Sequence, residues 1–321
     1  MNTRSNIPEE VAAVYDRNLL DRAVAFFPHL KFAQIRDIKE HAGTFTINFR
    51  RYSNLAAATT ALTEGITPSG KNLVVTKVEA TVLQYGDFVT VTDVVQFASV
   101  DSVLLETSDI LGDQVSDTLD QLARDKFHAG TSKYFAGSGH TLRSQVATGE
   151  LITDALIRKV VRLLKNNKCK FITRMVNPSN NYATTPLKAA FIGICDPSTT
   201  YDLEAITGWV GIEKYANKSD VMEGEVGSYS QVRFIESTNS KVFTGEGTSS
   251  IDVHSTIIFG QNAFGISRIT GQTLKNIIKP LGSGGTSDPL DQRATSGWKL
   301  TFVALILNND YVSRIEHAVT A

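Results

Sequence analysis

From Thr44 the chain alternates with a period of two: Phe45, Ile47 and Phe49 are apolar between Thr44, Thr46, Asn48 and Arg50. That is the pattern of a half-buried strand. After a small-residue run from Ala56 to Ala61 and the turn-rich stretch Glu64-Gly65-Ile66-Thr67-Pro68-Ser69-Gly70, the alternation resumes. Leu73, Val75, Lys77, Glu79, Thr81 and Leu83 then share one face, and Val74, Thr76, Val78, Ala80 and Val82 the other. This predicts one long strand with an apolar and a mixed face. Gln84-Tyr85-Gly86-Asp87 reads as a break that turns the chain into a partner strand carrying Phe88, Val89, Val91 and Val94. Leu62 to Asp93 is thus expected to form a long β-hairpin. An isolated two-stranded ribbon is marginal in water, so its apolar face needs a cover that the segment does not supply.

Elsewhere the period is helical. Pro8, Glu9 and Glu10 begin a helix on which Val11, Val14, Tyr15, Leu19 and Val24 recur, and Pro28 ends it, so the first forty residues read as an arm. The clearest helix spans roughly Val103 to Tyr134. Leu111, Val115, Leu119, Leu122 and Lys126 form its inward stripe, and Glu106, Asp109, Asp113, Asp117 and Asp120 step along the opposite side, a rod on the order of 45 Å. A second helix starts at Asp154 with Thr153 as N-cap and turns Leu156, Ile157, Val160, Leu163 and Leu164 inward. Its later turns carry Arg158, Lys159, Arg162, Lys165 and Lys168, which suits the negative end of the helix dipole.

Beyond it the pattern predicts a short strand over 171–175, a helical stretch over 186–194 and a helix over 200–207. A glycine-rich surface segment over 223–228 and a strand over 232–235 follow. The last third reads as strands over 251–259, 264–269, 298–307 and 311–319, with a flexible loop at 281–286. No repeat period occurs, and the class is α+β with segregated elements.

Length and charge narrow the function. At 321 residues the chain exceeds what one core organises, so two or three lobes are expected. With 32 basic and 33 acidic side chains the net charge is −1, which argues against gripping nucleic acid by phosphate neutralisation. The first ten residues have no apolar core behind a basic start, and no run of about 18 apolar residues occurs. A cytosolic protein without membrane contact is expected. Cys169 and Cys195 read as plain buried thiols, and the Asn217-Lys218-Ser219 sequon is idle without secretion.

Candidate chemistry is sparse. Gly65-Ile66-Thr67-Pro68-Ser69-Gly70-Lys71-Asn72 falls one residue short of a phosphate-binding loop. Such a loop follows a buried parallel strand, opens a helix and ends in Ser or Thr. Here Pro68 removes an N–H, the following residues alternate as a strand, and Asn72 replaces the hydroxyl, so a hairpin loop fits better than a nucleotide hydrolase. The six histidines, His29, His41, His128, His140, His254 and His317, are scattered singly and read as solvated or hydrogen-bonded side chains. No nucleophile elbow, zinc motif or Cys-x-x-Cys occurs, so neither an enzyme nor a cofactor is expected. The acidic stripe of Asp109, Asp113, Asp117 and Asp120 has two readings: a solvated face, or a wall that keeps enclosed DNA from adhering.

Arm, extended hairpin, long helix, α/β lobe and C-terminal β region, in that order, resemble the Hong Kong 97 phage capsid fold, and the chain is similar to the major capsid proteins of the N4-type podovirus family. The motifs are Leu62 to Lys71, Gln84-Tyr85-Gly86-Asp87-Phe88-Val89 with Asp93, Arg124-Asp125 before Ala129-Gly130-Thr131, and Glu223 to Gly227 with Val232 to Glu236. Lys126, Phe127 and His128 depart from the small apolar residues expected there. The resemblance implies an N-arm over 1–43, an E-loop hairpin over 44–98, a P-domain with its spine helix over 99–180, an A-domain over 181–250 and a C-terminal β region over 251–321 that completes the P-domain. It also implies a structural, non-enzymatic protein that self-assembles into hexamers and pentamers of an icosahedral virion shell around double-stranded DNA. Assembly in the host bacterial cytoplasm, a scaffolding protein, a portal protein and a decoration protein follow from the same likeness. Glu64, Gly65, Thr67, Pro68, Ser69, Gly70 and Lys71 would then be the inter-subunit tip of the E-loop. A nanocompartment shell of the encapsulin type, which shares the fold and encloses enzymes, is the alternative.

Overall fold

The computed structural model describes residues 28–39, 44–53, 55–67, 69–98, 103–176, 185–217, 220–270, 274–284 and 288–320. The helix expected over 8–28 lies outside them save for Pro28. The first half contains strands β1 (Gln34–Ile35), β2 (Thr46–Tyr52), β3 (Val75–Thr81) and β4 (Leu83–Thr92), then helices α1 (Asp93–Ala98) and α2 (Val103–Phe127), strand β5 (Lys133–Phe135) and helix α3 (Asp154–Asn166). The middle holds β6 (Phe191–Cys195), α4 (Pro197–Glu204), β7 (Val210–Gly211), β8 (Glu225–Tyr229), β9 (Val232–Glu236) and β10 (Val242–Phe243). The last third is β11 (Val253–Phe259), β12 (Phe264–Ser267), β13 (Leu274–Lys279), β14 (Arg293–Ile306) and β15 (Val312–His317).

An eight-stranded sheet runs β5-β15-β11-β6-β9-β8-β7, with β10 on β11. Its apolar side chains serve two cores. Ile192, Ile194, Ile235, Ile257 and Phe259 meet Leu111, Val115, Ala123 and Phe127 of α2. From the other face Phe191, Val232, Phe234, Ile258 and Ile315 meet Ile157, Val160, Val161 and Leu164 of α3. Thr153 caps α3 by accepting the Leu156 N–H, as its place before an amphipathic run predicts.

The five-stranded sheet is built on β14. It pairs with β13 on one side and β4 on the other, and further along with β12, which carries β1. Trp298, Leu300 and Phe302 of β14 turn toward α2, and the Trp298 Nε1–H donates to Gln114 Oε1 at 2.9 Å. The Gln114 amide in turn donates to Asp87 Oδ2 at 2.7 Å.

The hairpin differs from expectation in its pairing. β3 pairs with β2, from Thr46 opposite Thr81 to Tyr52 opposite Val75, and β4 leaves to pair with β14. Gly86 is no turn: it lies inside β4, where a Cβ would come within 2.6 Å of the Trp298 carbonyl oxygen. The glycine is there so that two backbones can approach.

Other expectations also shift. α2 stops at Phe127, because Gly130, Thr131 and Ser132 favour helix poorly and Lys133 to Phe135 pair in parallel with β15. Its inward stripe drifts to Ala123 and Phe127, leaving Lys126 exposed, and Phe127 stacks on Phe264 at 3.8 Å. Phe191 to Cys195 is a fully buried strand in place of the expected helix, a short apolar run that periodicity cannot assign. The glycine-rich segment holds the mostly buried strand β8, and β13 was not anticipated.

Candidate functional site

Among the described residues, a run of exposed apolar side chains lies on the hairpin and its loop. At the root, Ile47, Phe49 and Val82 are buried against Ile38, Ile269 and Leu305. Beyond Phe49 that core ends: Tyr52, Leu55, Val74 and Val75 are exposed, and Leu62, Ile66 and Leu73 are 79%, 67% and 64% exposed. Gly65 sits at φ +77° in a turn closed by the Ile66 N–H on the Thr63 carbonyl at 3.2 Å, a conformation glycine adopts freely. Lys71 Nζ reaches the Ala56 carbonyl at 3.4 Å. Glu64, Thr67, Ser69 and Gly70 are exposed, and Pro68 lies outside the described residues. No helix follows Lys71; the next element is β3. The phosphate-loop geometry is absent.

The acidic side of α2 is narrower than its spacing suggests. Asp113 and Asp117 are exposed and Asp109 is half-buried. Asp117 accepts from Asn239 Nδ2 and Gln121 Nε2, both at 2.7 Å. Asp120 is not on that face. It is buried, and its Oδ2 meets His29 Nδ1 at 2.9 Å.

On the opposite side of the five-stranded sheet an open groove of about 970 Å³ has Gly86 and Gly297 in its floor, Phe88 and Ile277 on its walls, and Lys279, Arg293 and Lys299 along it. Arg293 pairs with Asp288 there at 3.8 Å. Asp87 and Asp288 line the same groove, so its charges are mixed.

Buried polar groups serve structure. Glu316 is held by Arg143 Nε at 2.6 Å and Arg314 Nε at 2.7 Å, and Glu225 by Arg233 Nε at 2.6 Å and the Tyr215 hydroxyl at 2.7 Å. Asp196 meets His254 Nδ1 at 2.9 Å and accepts from the Thr199 hydroxyl. Burial works to raise its carboxyl, but those two bonds and the nearby imidazoles hold it at about 2. Burial pushes both cysteine thiols up to about 12, and each is free and buried. Such thiols are inert. Among the described residues no group of three or more His, Cys, Asp or Glu could hold a metal. No helix among them is long and apolar enough to cross a membrane.

Sequence spacing hid one feature. Four of the histidines gather in two pairs, His29 with His128, ring centroids 6.2 Å apart, and His254 with His317 at 6.5 Å. Nothing local in the sequence signals either pair, because their members lie far apart along the chain.

No protein-family model matches the chain, and no curated protein is recognisably similar in sequence. Solved structures do match. The capsid of Ralstonia phage GP4 superposes with a TM-score of 0.69 at 13% identity, covering 89% of this chain and 87% of that one. The head structure of Helicobacter pylori bacteriophage KHP40 gives 0.63 at 10% identity, with 92% of each chain covered. A virus-like particle from Pyrococcus furiosus gives 0.53 at 12% identity over 95% of this chain and 99% of that one. The chain has the Hong Kong 97-like α+β capsid fold.

Proposed function

We propose that the protein is the major capsid protein of a tailed bacteriophage, a structural subunit that self-assembles into an icosahedral shell of hexamers and pentamers around double-stranded DNA. The observation that carries this is the hairpin: its loop, described between residues 53 and 74 save for 54 and 68, is rooted in its own subunit but left uncovered by the described residues. Exposed apolar area on this scale marks an interaction surface. In a heterologous ring each loop lies on the next subunit, and the ring leaves none uncovered. β4 adds to the argument. It pairs only with β14 among the described strands, and its sequence LQYGDFVTVT lacks the lysines and prolines that usually guard a sheet edge.

In this reading 1–43 is the N-arm, 44–98 the E-loop region, 99–180 with 251–321 the P-domain and 181–250 the A-domain. Glu64 to Lys71 form the inter-subunit tip. Asp109, Asp113 and Asp117 face the DNA, which they repel, and Asp120 belongs to the interior of the subunit. A scaffolding protein, a portal and a decoration protein complete the virion, assembly takes place in the host bacterial cytoplasm, and the protein belongs among the N4-type podovirus capsid proteins.

Deleting Thr67 to Leu73 tests the proposal. The variant is expected to remain a folded subunit by circular dichroism and to form no shells under electron microscopy; normal particles would overturn the assignment. The likeness to the Pyrococcus particle supports a second reading, a nanocompartment that encloses proteins. Nuclease-protected DNA inside native particles separates the two.

A further inference from the structure

The stretch that enters β1 is fastened to α2 through a buried imidazole, His29, beside a second buried ring, His128. The His29 backbone N–H donates to Asp120 Oδ1 at 3.2 Å, and its Nδ1 meets Asp120 Oδ2 at 2.9 Å. His128, one residue past the end of α2, shares its Nδ1 with the Ser255 hydroxyl of β11 at 2.9 Å. Each ring has one nitrogen engaged. The other, Nε2, is buried without a partner in both. Orphaned buried polar atoms are uncommon and call for an explanation. Here two of them belong to neighbouring rings and to the side chain whose charge changes near neutral pH.

The surroundings fix what a proton would do. The charges nearest His128 come from His29, from Arg314 of β15, from Arg124 of α2 and from Lys241. The carboxylates nearby are engaged by those cations: Asp125 takes Lys241 at 3.0 Å and Arg124 at 3.1 Å, and Glu316 takes Arg314 and Arg143. Asp120 is the carboxylate bonded to an imidazole of this pair, and both its oxygens face His29.

We propose that His29 and His128 form an acid-released clip that fastens the chain ahead of β1 to the end of α2. Above the His128 titration range the two rings pack beside each other and residues 28–31 stay seated. Once protonated on Nε2, His128 is a further cation among Arg314, Arg124 and Lys241, against His29, with no free carboxylate to receive it. The seat opens instead, which hydrates the charge. β1 does not follow, because its pairing with β12, the Ile38 to Ile269 bridge and the contact of Phe32 with Phe259 are independent of the clip.

The direction follows from linkage. Burial, with the surrounding cations, holds the His128 imidazole well below 6.5, so the opened form binds the proton better. Closure is at full strength above about pH 6.5 and weakens as pH falls below it. The clip rests on contacts within one chain, so it stands or falls separately from the shell reading.

The His29 amide, bonded to Asp120, reports the clip directly in hydrogen exchange on the full chain, with protection factors corrected for the intrinsic pH dependence of exchange. In the wild type its protection is expected to be level above pH 6.5 and to fall by up to about tenfold per pH unit below it. The Ile38 amide, bonded to the Arg268 carbonyl at 2.9 Å, should stay level across the same range. H128N keeps an amide toward Ser255 and cannot titrate, so its His29 profile should be flat; H128Q serves the same comparison if H128N does not fold. A wild-type profile that is flat to pH 4.5, a parallel loss at Ile38, or an H128N profile that still follows the wild type would each overturn the clip.

Discussion

The eight-stranded sheet and the β2–β3 hairpin are both built of β-strands, yet they satisfy their side chains in opposite ways. The sheet has α2 on one face and α3 on the other, so that Ile194, Phe234, Ile257 and Ile258 are almost wholly inaccessible. Among the described residues the hairpin is covered only at its root, and Tyr52, Leu55, Leu62, Ile66, Leu73, Val74 and Val75 are exposed. One region completes its core within the chain. The other leaves its apolar side chains exposed, and in the proposed shell its stability would be a property of the assembly.

Substitutions should separate the two. Phe234→Ala, in the sheet beside Trp209 at 5.6 Å, is expected to cost about 3–5 kcal/mol in subunit denaturation, and a smaller loss would mean that this core repacks. Gly297→Ala puts a Cβ 2.6 Å from that of Phe88 and should cost up to about 3 kcal/mol by forcing β4 off β14, seen as a lowered denaturation midpoint.

Acid discriminates as well. The Asp196 carboxyl, held at about 2 against an ordinary 3.8, contributes about 2 kcal/mol that is present above pH 3.8 and lost as pH falls toward 2. Asp196→Asn should flatten that part of the stability profile. In the hairpin, Leu62→Ser with Ile66→Ser should change subunit stability by less than about 0.5 kcal/mol and yet reduce the yield of particles by sedimentation. A large stability loss there would show that the loop belongs to its own core. Smallest of all, breaking the surface ion pair of Lys77 and Glu79 by Lys77→Ala should have an effect close to the error of measurement.

Elements governed by local rules were legible in the sequence. Thr153 and the stripe behind it define α3, and alternation places β2, β9, β11 and β15 within a residue or two. What escaped depends on distant partners. Gly86 looked like a turn because its reason, the backbone of Trp298, lies more than two hundred residues on. The run over 191–195 has no period because both its faces are buried. Asp120 kept the spacing of an exposed acid, and only the fold brings His29 to it. Of the candidate surface, the apolar loop could be read; the groove could not, since its walls come from β4, β13 and β14.

β14 has a further consequence, in time. Residues 293–302 pair with 83–92, and 303–306 with β12, against which the hairpin root packs. Contacts of such sequence separation form late, so a nascent chain carries its hairpin unrooted until the last tenth of the protein has been made. In the proposed shell, translation itself would thereby delay the moment at which a subunit can hold its loop out to a neighbour.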